Sequence, residues 1–169
     1  MQHIFLDTEF TDVLKPRLIS VGMVDETGER EFYGELSPTL WQRHASEFVQ
    51  DHVVMHLKSA GADTSGIYAT EKSLKRALYD WLVQRGQVTL VTDAPHYDIG
   101  LLDRLFRGHW PSNVDQSVKE YQYPENNPGF ENGRPHEALQ DAKLLRQAFL
   151  NQTGTESAEP FDIQNLPPK

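Results

Sequence analysis

The run HIFLDTEF, residues 3 to 10, followed closely by RLISVGMVDETGEREFYGEL, residues 17 to 36, does most to limit the folds open to this chain. The first run has the length and apolarity of a buried strand. The second reads as a hairpin, with an apolar strand through Val24, a turn at Glu26-Thr27-Gly28-Glu29 and a return strand that alternates Phe32, Gly34 and Leu36. Helical patterns then take over. Trp41, Ala45, Phe48, His52 and Met55 recur at helical spacing between Trp41 and Ser59, and GADTSG ends that segment. Leu74, Ala77, Leu78, Trp81 and Leu82 form the stripe of an amphipathic helix stopped at Gly86. VTLVTD, residues 88 to 93, is a second buried strand, and YDIGLLDRLF, residues 97 to 106, a helix. Asn113 to Tyr121 carries no decisive period. YPENNPGFENGRP reads as a long loop and HEALQDAKLLRQAFLNQ as the last strong helix. This order predicts an α/β fold, a mixed sheet with helices packed on its faces. A single domain is expected over residues 1–152, with 153–169 as a poorly ordered tail or an arm laid on a neighbour.

A buried strand should not carry unpaired carboxylates, yet HIFLDTEF ends in Asp7 and Glu9. Strand alternation sends both to one face, the face of Phe5. Side by side they raise each other's pKa unless a cation neutralises them; a frayed strand end in water, or pairing with Arg or Lys, is the plainer alternative. The helices add two more acids. Asp98 falls on the apolar stripe of Leu101, Leu102 and Leu105, although a first-turn acid can also serve as a cap or pair with the helix dipole. Asp103 falls off that stripe and is expected to be solvated. Asp141 falls on the inward line of Ala138, Leu145 and Ala148. A charge on a buried helical face requires a partner, and these stripes carry no matching Lys or Arg. A divalent cation satisfies all four acids.

The chain has no cysteine, and carboxylate oxygens favour Mg²⁺ or Mn²⁺ over zinc. A zinc site from His52 and His56 would lack the glutamate of H-E-x-x-H. Carboxylate clusters of this kind commonly hold two ions about 3.5–4 Å apart that act on a phosphodiester. His136 stands five positions before Asp141, a step that a continuous helix would turn away from it. At the junction of loop and helix it can instead lean over the site and take a proton from the attacking water; a capping or solvated histidine is the alternative.

D-x-E in the first strand, the aromatic-Asp pair of TDAPHYDIGLL and the H-x4-D of HEALQDA together resemble the three motifs of the DEDDh 3′–5′ exonucleases, the superfamily of ribonuclease T, oligoribonuclease and proofreading exonuclease domains. The form DTEF, the compact length and HEALQDA are most similar to small bacterial exoribonucleases akin to the mycobacterial one. The resemblance implies a ribonuclease H-like fold and hydrolysis with two Mg²⁺ or Mn²⁺ ions. It implies that Asp7, Glu9, Asp98 and Asp141 are ligands, that His136 is the general base, and that Thr8 and Phe10 contact the terminal nucleotide. Tyr97 fits a packing position. The chain departs from the pattern at Phe10-Thr11-Asp12, where many relatives place Thr-Gly, and at Asp93, where they often have Asn.

The net charge of −9 argues against a protein that coats long duplexes, yet leaves a nuclease open, since metal ions can supply the charge facing phosphate. Tyr121, Tyr123 and Phe130 are candidates to stack on bases, with plain loop anchoring as the alternative. Lys72, Lys75, Arg76, Arg104 and Arg107 could meet phosphates or lie on solvated helix faces. The resemblance selects single-stranded RNA as substrate and suggests a homodimer; a DNA exonuclease and a non-catalytic binding module are the rival readings. Without cysteines, a membrane span or a secretory signal, the chain is expected to be cytoplasmic.

Overall fold

The computed structural model describes residues 1–123, 136–152, 154–156 and 159–166. The apolar opening run forms β1 (Gln2–Phe10), and the predicted hairpin forms β2 (Leu18–Asp25) and β3 (Glu31–Leu36), each strand antiparallel to the one before. The hairpin turns on Asp25, whose carboxylate accepts from Thr27 Oγ1 at 2.7 Å and from the Gly28 N–H at 2.9 Å. Gly28 supplies the positive φ of 80° that the turn requires.

β4 (Ile67–Tyr68) runs parallel to β3, β5 (Val88–Thr92) parallel to β1, and β6 (Ser117–Gln122) parallel to β5. β7 (Thr155–Glu156) and β8 (Phe161–Asp162) pair antiparallel with β6. The order across the sheet is β4-β3-β2-β1-β5-β6-β7, with β8 also on β6. Five helices accompany it among the described residues: α1 (Pro38–Trp41), α2 (Glu47–His52), α3 (Glu71–Val83), α4 (Pro95–Phe106) and α5 (Ala138–Leu150). The expected mixed sheet flanked by helices is present, and none of the described helices is long and apolar enough to cross a membrane.

β1 lies between an antiparallel and a parallel neighbour, so its side chains are divided cleanly between two cores. Ile4 and Leu6 pack with Leu74, Leu78 and Leu82 of α3 and with Ile99 and Leu102 of α4. Phe5 packs on the other face with Ala142, Leu145 and Ala148 of α5. α3 begins with a reciprocal capping box between Thr70 and Ser73, and its predicted leucines are fully buried.

The single helix expected over Trp41–Ser59 is instead a series of short turns. α1 and α2 are separated and followed by 3₁₀ turns at Gln42–His44, Val54–His56 and Lys58–Ala60. Ser46 explains the first break, since its Oγ accepts the Val49 N–H and starts α2 afresh. The β-branched pair Val53-Val54 then gives the helix little support. The buried face is Trp41, Val49, Val53 and Leu57, whereas Phe48 and Met55 of the expected stripe are 54% and 67% exposed.

Glu35, fully buried in β3, fastens the end of this segment. Its carboxylate accepts the Lys58 N–H at 2.9 Å, the Ser59 N–H at 3.3 Å and the Tyr33 hydroxyl at 2.7 Å. Burial first, and the Glu35 charge and hydrogen bond after it, push the Tyr33 hydroxyl pKa well above its ordinary value. Glu35→Ala should lower stability by about 1–3 kcal/mol, because it leaves three half-buried donors without their acceptor. Urea unfolding should show this as a lower midpoint at constant slope.

Asn113–Tyr121 resolves into β6 because Val118 and Tyr121 point into the two cores. The described part of the C-terminal segment lies along this strand: β7 meets Tyr121 and Gln122, β8 meets Ser117 and Val118, and Ile163 is buried beneath. Both short strands supply backbone partners to what would otherwise be an open edge.

Candidate metal centre

Asp7 and Glu9 are 6% and 8% exposed at the end of β1, on the face of α5. Across the ladder Asp7 is opposite Gly22 and Glu9 opposite Ser20. Gly22 makes the site possible. A Cβ there would stand 2.3 Å from the carbonyl carbon of Ala138 and the amide nitrogen of Leu139, so the first turn of α5 rests on bare strand backbone. That seat lays Asp141, 1% exposed, over the strand acids. Asp7, Glu9 and Asp141 offer oxygens that all lie within 4.8 Å of one another. Asp141 also accepts the Glu137 N–H at 3.2 Å, closing the start of the helix from within.

Asp98 reaches the same strand end from the opposite face. The helix cap is Ala94, with Pro95 in the first turn, so Asp98 is not a cap. Its carboxylate turns to β1, where it accepts the Thr8 N–H at 3.1 Å, the Thr8 hydroxyl at 2.6 Å and the Thr92 hydroxyl. Thr8, expected at the terminal nucleotide, thus spends both its donors on Asp98, although it also lines the cavity beside it. Asp93 joins from the turn before α4: Asp7, Asp93 and Asp98 again offer oxygens within 4.8 Å of one another. Asp7 therefore belongs to both clusters.

Asp7, Glu9 and Asp98 line a cavity of about 340 Å³ together with the apolar and aromatic side chains of Phe10, Val49 and Tyr97. Phe10 and Tyr97 are stacked, with ring centroids 4.8 Å apart and planes 16° apart, so Tyr97 backs the Phe10 ring. His136 lines the same cavity from the residues just before α5. Its φ of 51° is a left-handed conformation rare outside glycine, and its ring meets Phe48 edge-on at 5.4 Å. The five residues expected from the sequence thus lie in or beside one site: the acids in two overlapping clusters, His136 on the wall of the cavity they border.

Several of the remaining residues singled out in the sequence lie away from this chemistry. Tyr121 is buried and donates its hydroxyl to the Ala148 carbonyl at 3.1 Å, while Tyr123 donates to the Asp141 carbonyl at 3.3 Å. Both anchor α5. Phe130 lies outside the described residues. Lys75 binds the Phe106 carbonyl at 2.7 Å, and Arg76 pairs with Asp80. Asp103, expected in water, is half-buried and accepts from Trp110 Nε1 at 3.0 Å. His52 and His56 sit on separate short elements, and the possible metal-holding groups among the described residues contain acids alone.

The donor set suits a hard divalent cation, because every candidate ligand is a carboxylate and Asp7, Glu9, Asp98 and Asp141 are held out of water. Ser20 fits the same picture. It is fully buried opposite Glu9, and its Oγ has no hydrogen-bond partner among the described residues. A buried hydroxyl in that state is costly unless a bound group satisfies it. The local field is visible at Glu137, whose carboxyl burial raises above its ordinary pKa; Lys143 opposes that shift and Asp141 adds to it.

No protein-family sequence model and no curated protein matches the chain. A solved structure does. The crystallographic structure of the nuclease domain of 3'hExo, a DEDDh family member, bound to rAMP, superposes with a TM-score of 0.56 over 94% of this chain and 96% of that one, at 15% identity. The two share a fold. The ribonuclease H-like architecture expected from the motifs is therefore the architecture this chain adopts.

Proposed function

We propose that this protein is a metal-dependent 3′–5′ exoribonuclease acting on single-stranded RNA ends or short oligoribonucleotides. The observation that carries the reading is the pair of carboxylate clusters that share the buried Asp7 and border a cavity with His136 on its wall. The fold shared with a DEDDh nuclease domain supports it.

In this reading Asp7, Glu9 and Asp141 would hold one divalent ion, and Asp7 and Asp98 would take part in holding a second. Mg²⁺ or Mn²⁺ bound there would supply the positive charge needed to activate water and to stabilise the departing oxygen of the phosphodiester. The protein's own groups do the rest. His136 would accept the proton of the attacking water, a role open to an imidazole on the wall of the cavity. Thr8 and Thr92 fix the Asp98 carboxylate. Phe10, backed by Tyr97, offers an apolar wall for the terminal base, and Thr8 borders the same space.

RNA is favoured as substrate because the motifs are most similar to those of small bacterial exoribonucleases and because the structural neighbour was solved bound to rAMP. RNA and DNA oligomers of equal sequence, digested side by side, test this choice. Faster loss of RNA is expected; equal rates would widen the substrate class to DNA. His136→Ala should reduce turnover about 10²–10⁴-fold, the usual contribution of a general base. Calorimetric Mn²⁺ binding should persist in that variant. Parallel loss of metal would make His136 a ligand and remove it as the base.

A further inference from the structure

The loop leaving β1 returns to it at once. Thr11 donates its N–H to the Arg17 carbonyl at 3.0 Å, and the Arg17 N–H donates to Thr11 Oγ1 at 3.1 Å. Arg17 is thereby pinned beside the strand end that carries Asp7 and Glu9. Asp12 and Val13 of the same loop line the carboxylate cavity.

Further cations gather around Arg17. Arg43 Nε donates to His44 Nε2 at 3.2 Å, and partial burial together with the nearby Arg17 and Arg43 charges holds the His44 imidazole below its ordinary pKa. Arg104 donates to the Pro16 carbonyl at 3.1 Å and shares with Arg17 a cleft of about 200 Å³. Glu71 also lines this cleft, yet Arg17, Arg43 and Arg104 form no ion pair among the described residues. Asp12, the acid of the loop, is occupied with the Leu14 N–H at 2.7 Å.

Such a gathering is out of character for this chain, where acids outnumber Lys and Arg by 25 to 16. Like charges held together repel, and an anion laid across them relieves the repulsion. Arginine forks suit phosphate oxygens, and they are carried here by separate elements: the 11–17 loop, the turn after α1, and α4. A continuous polyanion fits that spread better than a small anion.

We infer that Arg17, Arg43 and Arg104 bind the phosphodiester backbone of a single-stranded nucleic acid whose 3′ end occupies the carboxylate cavity. The inference rests on the proposed exonuclease reading and assigns its substrate track. Affinity then grows with strand length and falls with salt, by a log–log slope of about 0.7 per phosphate contacted on a single strand.

The test compares 5′-labelled oligoadenylates of two and seven nucleotides with Mn²⁺. Arg17→Ala/Arg43→Ala should raise KM about tenfold for the longer strand and by a much smaller factor for the shorter, with a shallower salt dependence. Arg17→Lys/Arg43→Lys should restore most of the loss, which a merely structural role for the two arginines would not predict. The same changes on an Asp7→Asn background, read by fluorescence anisotropy of the seven-nucleotide strand, report binding without turnover. Equal effects on both lengths, or unchanged binding of the longer strand, would overturn the track. Absence of turnover by the unaltered protein, with length-dependent binding intact, would instead contradict the exonuclease reading alone.

Discussion

Asp7→Asn is expected to remove Mn²⁺ binding at both positions and to lower cleavage by about 10³-fold or more, the scale on which single electrostatic stabilisers of a transition state act. The reason is its place in the geometry: Asp7 is the one acid common to the Asp7–Glu9–Asp141 and Asp7–Asp93–Asp98 groups. Asparagine keeps the shape and one oxygen but loses the charge that offsets a cation's desolvation. The fold should survive, since relieving like-charge crowding in the metal-free protein is not destabilising. Calorimetry with Mn²⁺ should show no binding in the variant, and thermal unfolding without metal should show an unchanged or higher midpoint. Retained two-site binding would show that Asp7 does not join the clusters.

Gly22→Val is the second large effect. Its first side-chain carbon would meet backbone atoms of Ala138 and Leu139 at 2.3 Å, and backbone cannot swing aside as a flexible side chain can. Overpacking of this kind costs about 1–3 kcal/mol or more. It should also lift the first turn of α5, carrying Asp141 off Asp7 and Glu9. Activity should therefore fall far more than stability does. Gly22→Ala, with the smallest added group, should fold and still bind Mn²⁺ more weakly than the native protein. Native affinity in Gly22→Ala would mean that α5 is not seated by that glycine.

The contrast between these two positions shows what could be read from the chain before its fold was known. Asp7, Glu9, Asp98 and Asp141 stood out because each breaks an apolar pattern of known period, and burial agrees at all four. Gly22 breaks a pattern too, in the apolar run VGMV, but a glycine in a strand signals only that something comes close, not what. Asp93 lies in a turn between strand and helix, where no period assigns a face, so its approach to Asp7 and Asp98 is a property of the folded chain alone.

The segment from Trp41 to Ser59 departs from a continuous helix for a different reason. It carries two interleaved apolar rows, and the one that is buried, Val49, Val53 and Leu57, was hidden by the aromatic Phe48 and by Met55. Ser46 was the legible clue, an N-cap residue placed where the continuous helix should have had no beginning. Glu35 was invisible to pattern, because an acid opposite a core strand face reads as solvated until the chain that wraps over it supplies its donors.

The central claim, metal-dependent removal of nucleotides from a 3′ end, is tested most directly by incubating the protein with a 5′-labelled single-stranded RNA and Mn²⁺. The account predicts a ladder that shortens progressively from the 3′ end and is abolished by a chelator. Scattered internal cuts, or an intact strand in the presence of the metal, would contradict it.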